Sequence, residues 1–196
     1  MRRGPAARLR TERLLLRPWR AADAGAFLAA MGASVEHLSP WLPWARSEPA
    51  APDEVARRLL GFSAAFADGK EWLYGIFSHD ERLVLGGCGL HPRGGPEMLE
   101  IGYWIHAQHT RRGYATEASR ALTRAAFDVP GIERVEIRCD ALNTPSAGVP
   151  RKLGFTLVET LHEDARMGGA ERDTLVWRIE RAAFARSEPP APRAQR

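Results

Sequence analysis

Residues 109–118, HTRRGYATEA, combine residue types suited to holding an anion. Two arginines and a glycine stand directly before a segment that reads as the first turn of a helix, with Thr116 and Glu117 inside it. Amides at a helix start have no intrahelical acceptor, the macrodipole is positive there, and a residue without Cβ lets backbone approach a ligand closely. Taken alone, the stretch reads equally well as an ordinary strand-to-helix connection with solvated arginines. A second stretch, Asn143 to Phe155, reads NTPSAGVPRKLGF. Asn143 suits a helix N-cap and Pro145 the first turn. Gly148 and Pro150 then weaken the helix, since Pro150 has no N–H to offer the carbonyl of Ser146. A helix so poorly built for its own sake is kept for where it places side chains. His106 and His109 bracket the first stretch, but no further ligand at metal spacing accompanies them, so no metal is expected. Cys88 and Cys139 stand in apolar, strand-like contexts and read as small buried hydrophobes in a reducing compartment.

The elements that must position these residues follow from periodicity and punctuation. Residues 11–19, TERLLLRPW, read as a strand closed by Pro18, and residues 21–31 as a helix with Phe27, Leu28 and Met31 on one face. A polar, proline-broken loop carrying Trp41 and Trp44 leads to a second helix over about 53–68. EWLYGIFS, RLVLGGCGLH and MLEIGYWIH are three strands separated by turn-forming residues, an antiparallel meander. The 109–118 stretch then opens a helix to about Phe127, with Ala115, Ala118, Leu122, Ala125 and Ala126 on its apolar face and Glu117, Arg120 and Arg124 opposite. A strand at ERVEIRC, the short helix after Asn143, a strand through His162 and a last strand at DTLVWRIE complete the order. Such an order implies an α/β (α+β) mixed sheet of about seven strands, mostly antiparallel, with about four helices on its faces.

The chain has 196 residues, 44% of them hydrophobic and 27% charged, which fits one soluble domain with its own core. The basic balance of +4 sits at the ends: residues 1–10 carry four arginines and no acid, and residues 186–196 are also basic. The intervening residues are therefore slightly acidic, which argues against a nucleic-acid partner. No hydrophobic region follows MRRGPAARLR and no apolar run is long enough to span a membrane, so a cytoplasmic location is expected. Residues 1–10 read as a basic tail, 11–181 as the single folded domain, and 182–196 as a disordered tail.

In this order of elements, Thr110-Arg111-Arg112-Gly113-Tyr114-Ala115 resembles the pyrophosphate-binding motif of the GNAT superfamily of N-acetyltransferases, [QR]-x-x-G-x-[GA], with Thr110 at the Gln/Arg position. Asn143 to Phe155 resembles the N-x-x-S-x-x-V-x-x-K-L-G-F signature of the RimJ/RimL-like branch, and TERLLLRPW, WLPW and EIGYW add supporting matches. The resemblance covers nearly all of residues 11–178. It implies a GNAT fold, acetyl-CoA as acyl donor, and direct attack of a primary amine on the thioester. By the same resemblance, the amides from Arg112 through Tyr114, Ala115 and Thr116 cradle the pyrophosphate, with Arg111 or Arg112 adding side-chain charge. The backbone N–H of Ile105 meets the thioester oxygen, Asn143 contacts the pantetheine arm, and Ser146 lies near the sulfur.

Many members of the family place a tyrosine general acid where this chain has Pro150, which cannot act, so Ser146 becomes the leading partner of the sulfur. Glu100, acting through water, is the favoured base; a side chain of the last strand or of His162-Glu163-Asp164 is the alternative, as is a merely ion-paired Glu100. Trp41 and Trp44 are expected to line the acceptor site, or else to close a core edge or a dimer contact. The acceptor implied by the branch is a protein N-terminus, such as that of a ribosomal protein. A small-molecule amine or antibiotic, a succinyl-CoA donor, or a noncatalytic acyl-CoA-binding regulator on the same fold are the rival readings, and either a monomer or a homodimer is compatible with the sequence.

Overall fold

The computed structural model describes residues 4–48, 50–162 and 172–187. The chain enters through β1, Leu9–Arg10, which folds back on β2, Leu14–Pro18. Three helices follow, α1 (Ala24–Gly32), α2 (Val35–Leu38) and α3 (Pro52–Ala67), with a 3-10 turn over Pro43–Ser47 between the last two. Pro52 opens α3 and Asp53 and Glu54 occupy its first turn, a favourable start for a helix. The meander is β3 (Trp72–Ser78), β4 (Val84–His91) and β5 (Met98–Ile105). Then come α4 (Tyr114–Phe127), β6 (Arg134–Asp140), α5 (Thr144–Lys152), β7 (Thr156–Leu161), β8 (Thr174–Glu180) and α6 (Arg181–Ser187).

The eight strands among the described residues form one sheet in the order β1-β2-β3-β4-β5-β6-β8-β7. Every neighbouring pair is antiparallel except β5 with β6, which is parallel. The mixed, mostly antiparallel sheet is the one anticipated, with β1, α2 and α6 added to the expected elements. The described residues next to each end, 4–10 and 181–187, contact the domain. The Tyr74 hydroxyl donates to the carbonyl of Ala6, Arg8 pairs with Glu81 at 3.0 Å, and Phe184 on α6 packs against Phe127 with ring centroids 5.3 Å apart. Composition alone does not show these contacts.

Strand alternation divides the core in two. Leu14, Leu16, Tyr74, Ile76, Leu99, Ile101, Val135 and Ile137 face α4 and α5. Trp19, Phe77 and Trp104 face the opposite layer, where Phe27 and Met31 of α1 and Val55 and Leu59 of α3 cover them. The small Ala118, Ala125 and Ala126 let α4 lie close to the sheet, as its apolar stripe implies.

One departure from regular pairing matters for function. The parallel ladder joins Met98–Ile101 to Arg134–Ile137 and then stops, although β5 runs on to Ile105 and β6 to Asp140. The two strands part, and the sheet opens between them. Because Leu122 is fully buried at the centre of the α4 contact, Leu122→Ala should cost about 2–5 kcal/mol, read as a lower midpoint in thermal or denaturant unfolding.

Candidate active site

The connection from β5 to α4 is bent by two residues in the left-handed region, Arg111 at φ 59° and Gly113 at φ 82°. Glycine adopts that conformation freely, whereas at Arg111 it costs about 1–2 kcal/mol. Alternating backbone of this kind turns successive amides toward one concavity, an arrangement that binds anions. The first helical bond of α4 runs from the Glu117 amide to the Gly113 carbonyl at 3.0 Å. The amides of Tyr114, Ala115 and Thr116 therefore lie ahead of the ladder, at the positive end of the helix. Thr110 does not offer its hydroxyl to this concavity; it donates back to the Ala107 carbonyl at 3.1 Å and closes the preceding turn.

Arg13 fixes the loop from the side. Its Nε donates to Glu117 Oε2 at 2.7 Å and its Nη1 to the Arg112 carbonyl at 2.9 Å, while the guanidinium lies 4.9 Å from the Tyr114 ring centroid. The hydroxyl of Thr11 also donates to Glu117, at 2.5 Å. Burial works against the charged Glu117 carboxyl, but the bonds from Thr11 and Arg13 outweigh it and hold the group below the usual carboxylate range.

The opening between β5 and β6 supplies the next donors. The His106 amide bonds to the Leu85 carbonyl on β4, so the preceding amide, that of Ile105, points the other way, into the gap. Across the gap, Asn143 caps α5 by accepting the Ser146 amide at Oδ1, 3.2 Å, as its position in the sequence suggests. The cap brings Ser146 opposite β5, where its Oγ lies 2.9 Å from the Tyr103 hydroxyl, whose single proton goes either to that Oγ or to the Ser146 carbonyl 3.2 Å away. Burial pushes the Tyr103 phenol well above its ordinary value, so it stays a protonated donor. Cys139, buried beside this pair, has its thiol pushed up to about 11 by the same cause.

These groups border one cleft of about 1420 Å³ that reaches through the sheet to its other face. There the lining includes Trp41, Trp44 and Glu100. Glu100 is not a free carboxylate. Arg93 meets one oxygen at 3.3 Å and Arg138 the other at 3.4 Å, and Arg138 continues the row to Glu136 at 3.0 Å. Arg172 pins the aromatic loop: its Nη1 donates to the Pro40 carbonyl and to Asp140, each at 3.0 Å, and its guanidinium lies 5.7 Å from the Trp41 ring centroid. His109 also borders the cleft, and burial, His106 and Arg112 all push its imidazole below the ordinary value, toward the neutral form.

A family model of the acetyltransferase (GNAT) domain matches residues 13–156, most of the chain. The protein belongs to the GNAT acetyltransferase family. Among curated GNAT relatives, it is 26% identical over 172 residues to the uncharacterized N-acetyltransferase YoaA of Bacillus subtilis (strain 168), covering 87% of this chain and 95% of that one. With YjdG of the same organism it shares 34% over 85 residues, 42% of this chain and 49%, about half, of that protein. The GNAT fold is also seen in the structure of RimL, a ribosomal L7/L12 alpha-N-protein acetyltransferase in complex with coenzyme A, at a TM-score of 0.78 and 21% identity over 88% of this chain and 97% of that one.

Of the site residues expected from sequence, Ile105, Arg111, Gly113, Tyr114, Ala115, Thr116, Asn143, Ser146, Glu100, Trp41 and Trp44 all line the one cleft. Arg112 does not: its carbonyl is tied to Arg13, and its side chain lies outside the lining. Of the alternative bases, Glu163 and Asp164 lie outside the described residues, and His162 is exposed and pairs with Asp173 at 3.1 Å. Tyr103 and Arg13 were missed. The EIGYW match contains Tyr103, but nothing local tells that its hydroxyl reaches α5. Among the described residues, no group of three or more His, Cys, Asp or Glu is placed to hold a metal ion, and no helix is long and apolar enough to cross a membrane. Gly113→Ala forces a Cβ into the left-handed loop beside Arg13, 3.3 Å from its Nη2. It should destabilise the fold by about 1–2 kcal/mol, read as a lower midpoint in thermal or denaturant unfolding.

Proposed function

We propose that the protein transfers an acetyl group from acetyl-CoA directly to a primary amine, and that the acceptor is the α-amino group of a protein N-terminus. The observation that carries this reading is the gap between β5 and β6, with an anion cradle at one end and an aromatic face beyond it. The residues fit such a donor: the amides of Tyr114, Ala115 and Thr116 suit a pyrophosphate, and Asn143 and Ser146 flank the path its pantetheine arm would take. Arg111 adds charge at the cradle. Acetyl-CoA supplies an activated acyl carbon and a sulfur leaving group.

The Ile105 amide donates to the carbonyl oxygen as negative charge grows there, in a site that needs no reorganisation to do so. The Tyr103 hydroxyl donates its proton to Ser146 Oγ from behind, which leaves the Ser146 hydroxyl free to donate to the departing sulfur. With Pro150 at the position of the usual tyrosine, this pair takes over the sulfur end. The amine loses its proton through water toward Glu100, which Arg93 and Arg138 keep fixed on the acceptor side. Trp41 and Trp44, the latter 45% exposed, offer apolar area and ring N–H groups to an extended peptide. The protein-terminus acceptor is further supported by likeness to RimL, whose own acceptor is the ribosomal protein L7/L12.

The test is thiol release from acetyl-CoA with a mixed library of peptides and metabolite amines, the products identified by mass spectrometry. Acetylation of peptide α-amines is the expected result. Coenzyme A binding without turnover on any amine would sink the enzymatic reading, and turnover confined to small amines would move the acceptor. Ser146→Ala should lower kcat about 10–100-fold and Tyr103→Phe about 3–10-fold, with the KM for acetyl-CoA little changed, because both bonds strengthen only as the sulfur gains charge. Glu100→Gln should lower kcat about 100-fold or more with the KM for acetyl-CoA little changed; an unaltered kcat would remove Glu100 from the proton path.

A further inference from the structure

We propose that His91, held from behind by Glu71, receives the proton that the acceptor amine releases and passes it out of the cleft. The inference rests on the transferase reading and names the group in which its proton path ends. His91 closes β4, directly opposite Glu100 on β5. Glu71, which stands outside the cleft lining, meets His91 Nδ1 at 2.6 Å through Oε1. A bond to a carboxylate keeps the ring's proton on Nδ1, so the neutral ring presents the lone pair of Nε2. That nitrogen has no hydrogen-bond partner among the described residues, and the side chain, 14% exposed, borders the cleft.

Glycines bring Nε2 within reach of the reaction. On this face of the sheet β4 and β5 pair His91 with Glu100, Gly89 with Gly102 and Gly87 with Trp104. The middle rung has no side chain, and the imidazole leans over it: Nε2 lies 3.1 Å from where a Cβ of Gly102 would stand and 3.2 Å from that of Gly89. Apart from its chain neighbours, only the His91 ring comes within 4 Å of that point at Gly102, so the floor beyond the ring is bare. Gly102 and Ile105 are three residues apart, about 10 Å of strand, a span that the amine and one or two waters bridge. Glu71, Glu100 and Arg93 are the charged groups beside the ring; Arg93 reaches Glu100 with Nη1 at 3.3 Å and stands 3.4 Å from His91 Nδ1 with Nη2. In the step, an N–H bond of the ammonium breaks and its electron pair stays on nitrogen to attack the acyl carbon. The proton crosses the water at Glu100, forms an N–H bond at Nε2, and leaves to solvent as the products depart.

The test is acetylation of a peptide α-amine by the full chain, read by mass spectrometry. His91→Ala should lower kcat about 10–100-fold with the KM for acetyl-CoA little changed. Added imidazole, which fits the space vacated over Gly89 and Gly102, should restore this variant about tenfold and leave wild type unchanged. Glu71→Gln, which keeps an acceptor for Nδ1–H and removes the charge, should lower kcat about 3–10-fold and have no further effect in His91→Ala. His91→Gln is read for kcat in the same way should the melting temperature show that the alanine variant does not fold. An unchanged kcat in the His91 variants overturns the inference, as does a loss that imidazole does not restore or one confined to the KM for the acceptor. Wild type that acetylates no amine overturns the transferase reading from which the inference starts.

Discussion

A β-strand that loses its neighbour leaves amides and carbonyls that must find other partners or remain in water. At the end of β5 that constraint organises the whole site. The parallel ladder stops at Ile101 and Ile137, and beyond it the Ile105 amide faces a gap instead of a carbonyl. Everything else in the molecule either holds the gap open or brings a group to its rim. On one side α4 and α5 deliver the loop amides and Ser146; on the other, α1 and α3 cover Trp104 and Phe77 and leave the polar strip of Glu100, Arg138 and Glu136 beside them. An unpaired backbone donor is costly in a closed core and useful where a reacting oxygen is to sit.

The features legible in the sequence are those whose cause is local. A glycine before a helix start, an asparagine three residues ahead of Ser146, and alternation along the meander each report their own conformation. The cap at Asn143 and the left-handed turn at Gly113 follow from them. Pro150 is likewise readable as an absence, because its side chain excludes a role whatever surrounds it.

What was not legible depends on residues far apart in the chain. Tyr103 and Ser146 are 43 positions apart and Arg13 and Glu117 are 104 apart, and no periodicity within either segment encodes the pairing. The same reason explains Glu100, whose partners Arg93 and Arg138 come from a turn and from a different strand. The side chain of Arg112, read as one of two possible sources of charge, stands outside the cleft lining. In a loop whose backbone alternates, adjacent side chains leave in different directions, and only its carbonyl has a fixed partner. Near the ends of the described residues, a tail-like composition hides three contacts, Tyr74 to Ala6, Arg8 to Glu81 and Phe184 on Phe127.

The passage through the sheet has a kinetic meaning. Because the anion cradle and the aromatic face lie on opposite sides of the β5–β6 gap, neither partner needs to leave before the other arrives. On the proposed reading, the sheet separates donor and acceptor everywhere except at this gap. Such a layout favours a ternary complex with both substrates present, and intersecting initial-velocity lines rather than the parallel ones of a covalently modified enzyme.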